Sequence, residues 1–385
     1  MDMEINESMK YPLAADPIPQ ADLDALAEWL KTGPWLTMGT LCRQFEERFA
    51  EWLGRKHAVF VNSGSSANWL MTMALRCWHP EIGALEVPAI GWPTTISPAI
   101  ALGYEVKFLD ADRDSWGVDR AVTGSKEALI AVPVLGVPCA ASVAQGVLLE
   151  DACAALGSAR AGKKCGTFGT MSSFSFYFAH QLSTIEGGMV VTDDLRLADL
   201  LRMLRAHGWA ADLSPEHEAE LWGQRARERG EFDRKFTFYV PGFNARPTEL
   251  QAFLGLRQMQ RIDQMVARRM ANDTRYRKNF AGAEGFTLQK PAEGDQVCSI
   301  AVGLLAASAE HRVKVALALR QAGIETRSIG GGNLARQPFV GASGRADRCP
   351  MADEIGRRGF QVPNHPGLSE ADVDYISEIV MKVTP

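Results

Sequence analysis

Between residues 20 and 200 short apolar runs alternate with helical patterns, and this alternation restricts the chain to an α/β fold, a mainly parallel sheet covered by helices. From Leu41 to Leu53, the residues Leu41, Phe45, Phe49 and Trp52 fall near helical spacing. His57-Ala58-Val59-Phe60-Val61 then reads as a buried strand ending at Asn62-Ser63-Gly64. Further strands are expected at Leu85 to Val87, Val106 to Leu109, Leu129 to Val134, Val147 to Leu149, Ser173 to Phe176 and Met189 to Thr192, separated by helices or by turns rich in Gly and Pro. Their number suits one large sheet.

Residues 208 to 240 are polar and poorly periodic, with a charge-rich stretch from Glu216 to Lys235, and read as a long excursion. Pro247 to about Phe280 reads as one long helix with Pro in its first turn. A strand-like Cys298 to Leu304 and two or three amphipathic helices then suggest a smaller second domain. With 385 residues, 46% of them apolar, the chain has material for two cores, and we expect a large domain over 1–255 and a small C-terminal α+β domain over 256–385.

A net charge of −5 with mixed signs offers no broad basic surface for nucleic acid and points to a small-molecule partner. The beginning of the chain lacks the basic and apolar regions of a signal peptide, and no apolar run approaches the ~20 residues that span a bilayer, so no membrane partner and a cytoplasmic location are expected. The seven cysteines are scattered and contain no CxxC pair, which indicates neither a disulfide framework nor a metal site.

Three stretches carry chemistry. From Phe60 to Asn68 a strand passes through a small-residue turn into a helix, whose free backbone N–H groups suit a phosphate, although a plain N-capping turn has the same residues. Glu150-Asp151 closes an apolar strand, where a carboxylate meets ligands in open sheets, or simply caps a helix. From Phe174 to Gly188 a strand leads into an irregular loop with Ser175 and His180 five residues apart; a loop histidine alone is more simply a surface or hydrogen-bonding residue.

Seven motifs in order, NSGSSAN (62–68), GWPTT (91–95), LLEDACAALGS (148–158), CGTFGTMSSFSFY (165–177), EGGMVVTDD (186–194), LRAHGW (204–209) and PGFNARPTELQAFLG (241–255), resemble the sugar aminotransferase family of fold-type I pyridoxal phosphate enzymes. The resemblance implies that Ser65, Ser66 and Ser175 bind the phosphate of pyridoxal or pyridoxamine phosphate, that Trp92 stacks on its pyridine ring and that Asp151 keeps the ring nitrogen protonated. It also implies a homodimer in which Asn244 reaches the neighbouring subunit's phosphate site. One departure is Ala154, where the family usually carries Gln or Glu.

A second departure is His180, which stands where ordinary members carry the lysine that bonds covalently to the cofactor. Imidazole cannot form that bond but can exchange a proton near neutral pH. This resembles the 3-dehydratases of the family and implies that His180 is catalytic in removing the carbon-3 hydroxyl of a nucleotide-linked 4-keto-6-deoxyhexose, with L-glutamate regenerating the amine form of the cofactor. GDP and the mannose configuration follow from the resemblance alone. A sugar aminotransferase that tolerates histidine and a non-catalytic regulator built on the fold are the competing readings. His207, the turn from Gly330 to Asn333 and the turn from Asn364 to Gly367 are structural residues or substrate contacts, and Arg225, Arg227, Arg229, Arg234 and Lys235 are solvated charges or diphosphate contacts.

Overall fold

Helices α1 (Gln20–Lys31) and α2 (Thr40–Leu53) lead into strand β1 (His57–Val61) of the large sheet. The computed structural model describes residues 9–15, 18–210, 213, 215–225, 236–343 and 348–385. β1 turns into α3 (Gly64–Trp78), and β2 (Ala84–Pro88), α4 (Pro93–Ala101), β3 (Glu105–Leu109), β4 (Ala128–Ala131), β5 (Val147–Asp151), β6 (Met171–Ser175) and β7 (Gly188–Thr192) follow. The seven strands lie in the order β1-β7-β6-β5-β4-β2-β3. All run parallel except β7, which is antiparallel to both neighbours. The C-terminal ends of β1, β2, β5 and β6 therefore open on one edge, where open α/β sheets bind ligands.

The apolar runs form strands because β4, β5, β6 and β7 are buried on both faces. One face packs on α3 through Leu70, Met71 and Leu75. The other carries an aromatic cluster beneath the sheet's edge, in which Phe45 meets Phe60 at a centroid distance of 4.9 Å and Phe49 meets Phe174 at 5.2 Å, both edge-to-face. Glu46 of α2 ties this layer to β1 by accepting from the Phe60 amide and from Arg205 at the end of α5 (Leu195–Arg205).

The expected single helix after Pro247 is two. Thr248 caps α7 (Glu249–Met259; α6 is Pro215–Arg225) with a capping box to Gln251, and Arg261, at φ −126°, leaves the helical region before α8 (Ile262–Asn279) begins. The break carries neither Gly nor Pro, so the composition does not announce it. The boundary expected at 255 falls inside α7. The strand expected at Leu129 to Val134 ends at Ala131, because Pro133 and a 3₁₀ turn at Val134–Gly136 stop it, and the one expected at Cys298 to Leu304 is shifted to Ala301–Ala306.

The C-terminal part is a three-stranded antiparallel sheet, β8 (Phe286–Leu288), β9 (Ala301–Ala306) and β10 (Gly359–Pro363), with α9 (Ala309–Gln321), α10 (Pro350–Arg358) and α11 (Glu370–Met381). No helix among the described residues is long and apolar enough to cross a membrane. Arg227, Arg229, Arg234 and Lys235 lie outside the described residues, as does the side chain of Arg225.

Candidate active site

At the end of β1, Ser63 caps α3 by accepting from the Ser66 amide at 3.0 Å, and the Ser66 hydroxyl turns inward to donate to Asn62 Oδ1 at 2.6 Å. Ser66 thus stiffens the turn, while the exposed Ser65 hydroxyl meets Thr94 of α4 at 3.0 Å. Ser175, at the end of β6, closes the other side: a Cβ on Gly64 would lie 2.6 Å from its Cβ. The result is a cup of backbone N–H groups and two hydroxyls at the positive end of a 15-residue helix. Gly64→Ala is expected to cost about 1–3 kcal/mol by overpacking, read as a lower urea midpoint than the Ser65→Ala variant shows.

The acidic pair at the end of β5 divides its work because neighbouring strand residues face opposite ways. Glu150 accepts from the amides of Gly166, Phe168 and Gly169 and from the Ser172 hydroxyl, which makes it a loop anchor. Asp151 is 4% exposed; its Oδ2 accepts from Asn68 Nδ2 at 2.8 Å and Thr95 Oγ1 at 2.6 Å, and its Oδ1 takes only a long bond of 3.3 Å from the Cys153 amide. Neutral donors orient this buried carboxylate, and no cation of the described residues pairs with it. Buried carboxylates are ordinarily paired.

His180 follows β6 on a loop closed by Phe176 donating to the Gly187 carbonyl and Thr184 to the Phe176 carbonyl. Its backbone is held from both sides, the amide by the Tyr177 carbonyl at 2.9 Å and the carbonyl by Arg269 Nη2 at 3.3 Å. The ring is half-buried with Nδ1 buried and unpartnered. Burial, reinforced by the Arg269 guanidinium and opposed by Asp151, pushes its pKa down to about 4, so the imidazole is neutral at pH 7 and able to accept a proton.

His365 of the C-terminal part is likewise pushed down to about 4, by burial first and Arg269 second. Both imidazoles take up protons more readily in the unfolded chain, whose histidines titrate near 6.5. The linkage sign follows: stability rises with pH from about 4 to 6.5 and is lost as the pH falls through that window, each histidine contributing up to about 1.4 kcal/mol per pH unit. Urea midpoints measured across this range should fall with acid, and His365→Phe should make the decline shallower.

Trp92 is 61% exposed immediately before α4, with Pro93 in the first helical turn and Thr94, the partner of the Ser65 hydroxyl, two residues on. The turn from Gly330 to Asn333 packs on the same segment: the Gly331 amide donates to the Gly91 carbonyl at 3.0 Å and the Leu334 amide to the Ala89 carbonyl at 2.8 Å. Asn244 precedes Ala245, whose carbonyl accepts from the Asn62 amide at 3.1 Å at the end of β1. Asn244 is exposed, and its side chain accepts from Arg246. His207 is also exposed, in the left-handed region at φ +63°, with its amide bonded to the Phe243 carbonyl.

The model of the DegT/DnrJ/EryC1/StrS aminotransferase family matches residues 17–381. The chain belongs to this family. It is 33% identical over 376 residues to the GDP-4-keto-6-deoxy-D-mannose 3-dehydratase of Yersinia pseudotuberculosis, covering 93% of this chain and 94% of that one. It is 28% identical to the GDP-perosamine synthase of Escherichia coli O157:H7, covering 90% and 91%. The crystal structure of a GDP-4-keto-6-deoxymannose-3-dehydratase with a trapped PLP-glutamate geminal diamine superposes with a TM-score of 0.85 at 28% identity, covering 96% of this chain and 100% of that one. The fold is fold-type I of the pyridoxal phosphate enzymes.

The residues present fit the family's cofactor: Asp151 is a buried carboxylate with no cation of the described residues on it, and the first turn of α4 joins it to the cup, Thr95 bonding Asp151 and Thr94 meeting Ser65. Cup, carboxylate, Trp92 and His180 all follow C-terminal strand ends on one edge of the sheet, and Asn244 is exposed, one residue from the Ala245 carbonyl that holds Asn62. Sequence reasoning missed Asn68 and Thr95, the two donors that aim Asp151. The available signal was their placement, since Asn68 lies one turn beyond Gly64 on the same face of α3 and Thr95 opens α4.

Proposed function

We propose that this chain removes the carbon-3 hydroxyl of a nucleotide-linked 4-keto-6-deoxyhexose, with GDP as the nucleotide and L-glutamate as the amino donor. The observation that carries the reading is His180, neutral and held beside Asp151 on the loop after β6, where no lysine of the described residues reaches. Lys164, the near candidate in sequence, donates to the Trp52 carbonyl and lies 3.9 Å over the Trp52 ring, on a separate ribbon paired with Ala159 and Arg160. Similarity to 3-dehydratases supports the same reading.

In this proposal the Gly64 and Ser65 amides with the Ser65 and Ser175 hydroxyls hold the cofactor phosphate, and Ser66, its amide bonded to Ser63 and its hydroxyl to Asn62, keeps the turn rigid. Trp92 would cover one face of the cofactor ring, and Asp151 would pair with its nitrogen. Pyridoxamine phosphate, when bound, supplies an amine for the carbon-4 ketone and a ring that accepts an electron pair. His180 would serve as the base and acid of the reaction, accepting a proton on its neutral imidazole and returning one to the departing carbon-3 hydroxyl. Asn244, exposed on its own subunit, serves the cup of a second copy in a homodimer.

The balance is complete: the sugar loses its carbon-3 oxygen and gains two electrons, glutamate is oxidised to 2-oxoglutarate, and its nitrogen leaves as ammonia. Transamination, the activity the family is named for, would leave that nitrogen on the sugar. A direct test is borohydride reduction of the protein with bound pyridoxal phosphate, followed by denaturation and intact-mass measurement. The expected mass is that of the unmodified chain, and His180→Lys should gain a pyridoxyl adduct. An adduct on the wild-type chain would end this reading.

A further inference from the structure

Arg269, on α8, is 3% exposed, and its Nε is buried without a partner. Its Nη2 donates to the His180 carbonyl at 3.3 Å, and its Nη1 donates to the carbonyls of Ser299 and Ile300, each at 3.4 Å, and of Asn364. No carboxylate of the described residues pairs with it, although a buried guanidinium ordinarily needs one. Four carbonyls from three separate stretches thus converge on one cation: the His180 loop, the entry to β9 and the turn after β10. Helix packing alone would be met more cheaply by an apolar side chain of similar volume.

We propose that Arg269 is a positioning residue for His180, fastening the loop carbonyl to the C-terminal part of the chain and holding an uncompensated positive charge behind the imidazole so that the ring stays a proton acceptor. The proposal rests on the reading of His180 as the base. Among the described residues the groups facing this ring are few. Asp151 and Cys153 face it from the end of β5, Tyr177 from its own loop at a centroid distance of 6.3 Å, and Arg269 from α8. Cys298 and His365 lie beyond Arg269, and the Cys298 thiol, pushed up to about 12 chiefly by burial, carries no charge to offset the guanidinium at neutral pH. Burial is the larger cause of the imidazole's low proton affinity and the guanidinium the second, so removing the charge relieves only part of it.

Two variants separate the two roles. Arg269→Met removes charge and clamp together; Arg269→Lys keeps the charge but cannot reach four carbonyls at once. In the full-length chain with labelled histidine, seven ring signals are expected, and His180→Asn identifies the one that matters. In Arg269→Met its titration midpoint should rise from near 4 by about 1 pH unit and stay below 6.5, and the acid limb of kcat/KM should move by the same amount. In Arg269→Lys the midpoint should stay low, while amide exchange at 179–182 quickens by about tenfold. A midpoint unmoved in folded Arg269→Met overturns the electrostatic role, and unchanged exchange in Arg269→Lys overturns the clamp. If neither variant folds, Arg269 is a folding residue and the proposal is wrong. Ring titration and amide exchange do not depend on turnover, so a protein that shows both responses but forms no deoxy sugar refutes the functional reading alone.

Discussion

Asp151→Asn is expected to lower deoxygenation by about 10²–10³-fold while leaving the fold intact. Asparagine keeps an oxygen to accept from Asn68 and Thr95, so the clamp that aims the group survives. What disappears is the negative charge, buried and without a cation of its own, that would stabilise a protonated ring nitrogen and so strengthen the electron sink. Loss of an uncompensated buried charge should leave the melting temperature unchanged or raise it. The check is kcat beside thermal unfolding. Near-wild-type turnover in a folded variant would remove Asp151 from the proposed site.

His180→Asn should be costlier still, lowering kcat by about 10²–10⁴-fold. The amide is polar and fits the space but cannot take up a proton. The cup at Gly64 and Ser175 is untouched, so pyridoxal phosphate should bind with unchanged affinity, followed by its absorbance. The wild-type profile carries a second signature. With the imidazole titrating near 4, the limb of kcat/KM that reports this base should lie well below pH 6.5, and activity should hold as the pH falls from 7 to 5.5. Equal kcat in His180→Asn would show that another group moves the proton.

The local elements that frame the candidate site are legible in the sequence. Phe60 to Asn68 reads as strand, turn and helix because burial and capping both leave local marks, and Asp151 stands out as a charge closing an apolar run. The break between α7 and α8 was invisible because Gln260 and Arg261 are ordinary helix formers, and both Arg257 and Arg261 reach back to the distant Asp22. In the sequence Arg269 is one of several basic residues in a helical stretch. Its meaning depends on carbonyls some 30 and 95 residues further along the chain, at Ser299 and Asn364, which no local pattern reports. Ala154 is a related case: its side chain offers nothing, yet its carbonyl accepts from Gln181 at 2.7 Å, and the same Nε2 donates to the Cys298 carbonyl, so the residue after His180 fills the connection through the backbone.

The measurement that bears most directly on the account is the fate of the two heteroatoms in one turnover. The protein would be incubated with GDP-4-keto-6-deoxymannose, pyridoxal phosphate and isotopically labelled L-[¹⁵N]glutamate, with the sugar followed by mass and free ammonia assayed alongside. The account predicts a 4-keto-3,6-dideoxy sugar without label, and labelled ammonia and 2-oxoglutarate in equal amounts to it. A sugar that retains its carbon-3 oxygen and carries the ¹⁵N would show transamination and contradict it.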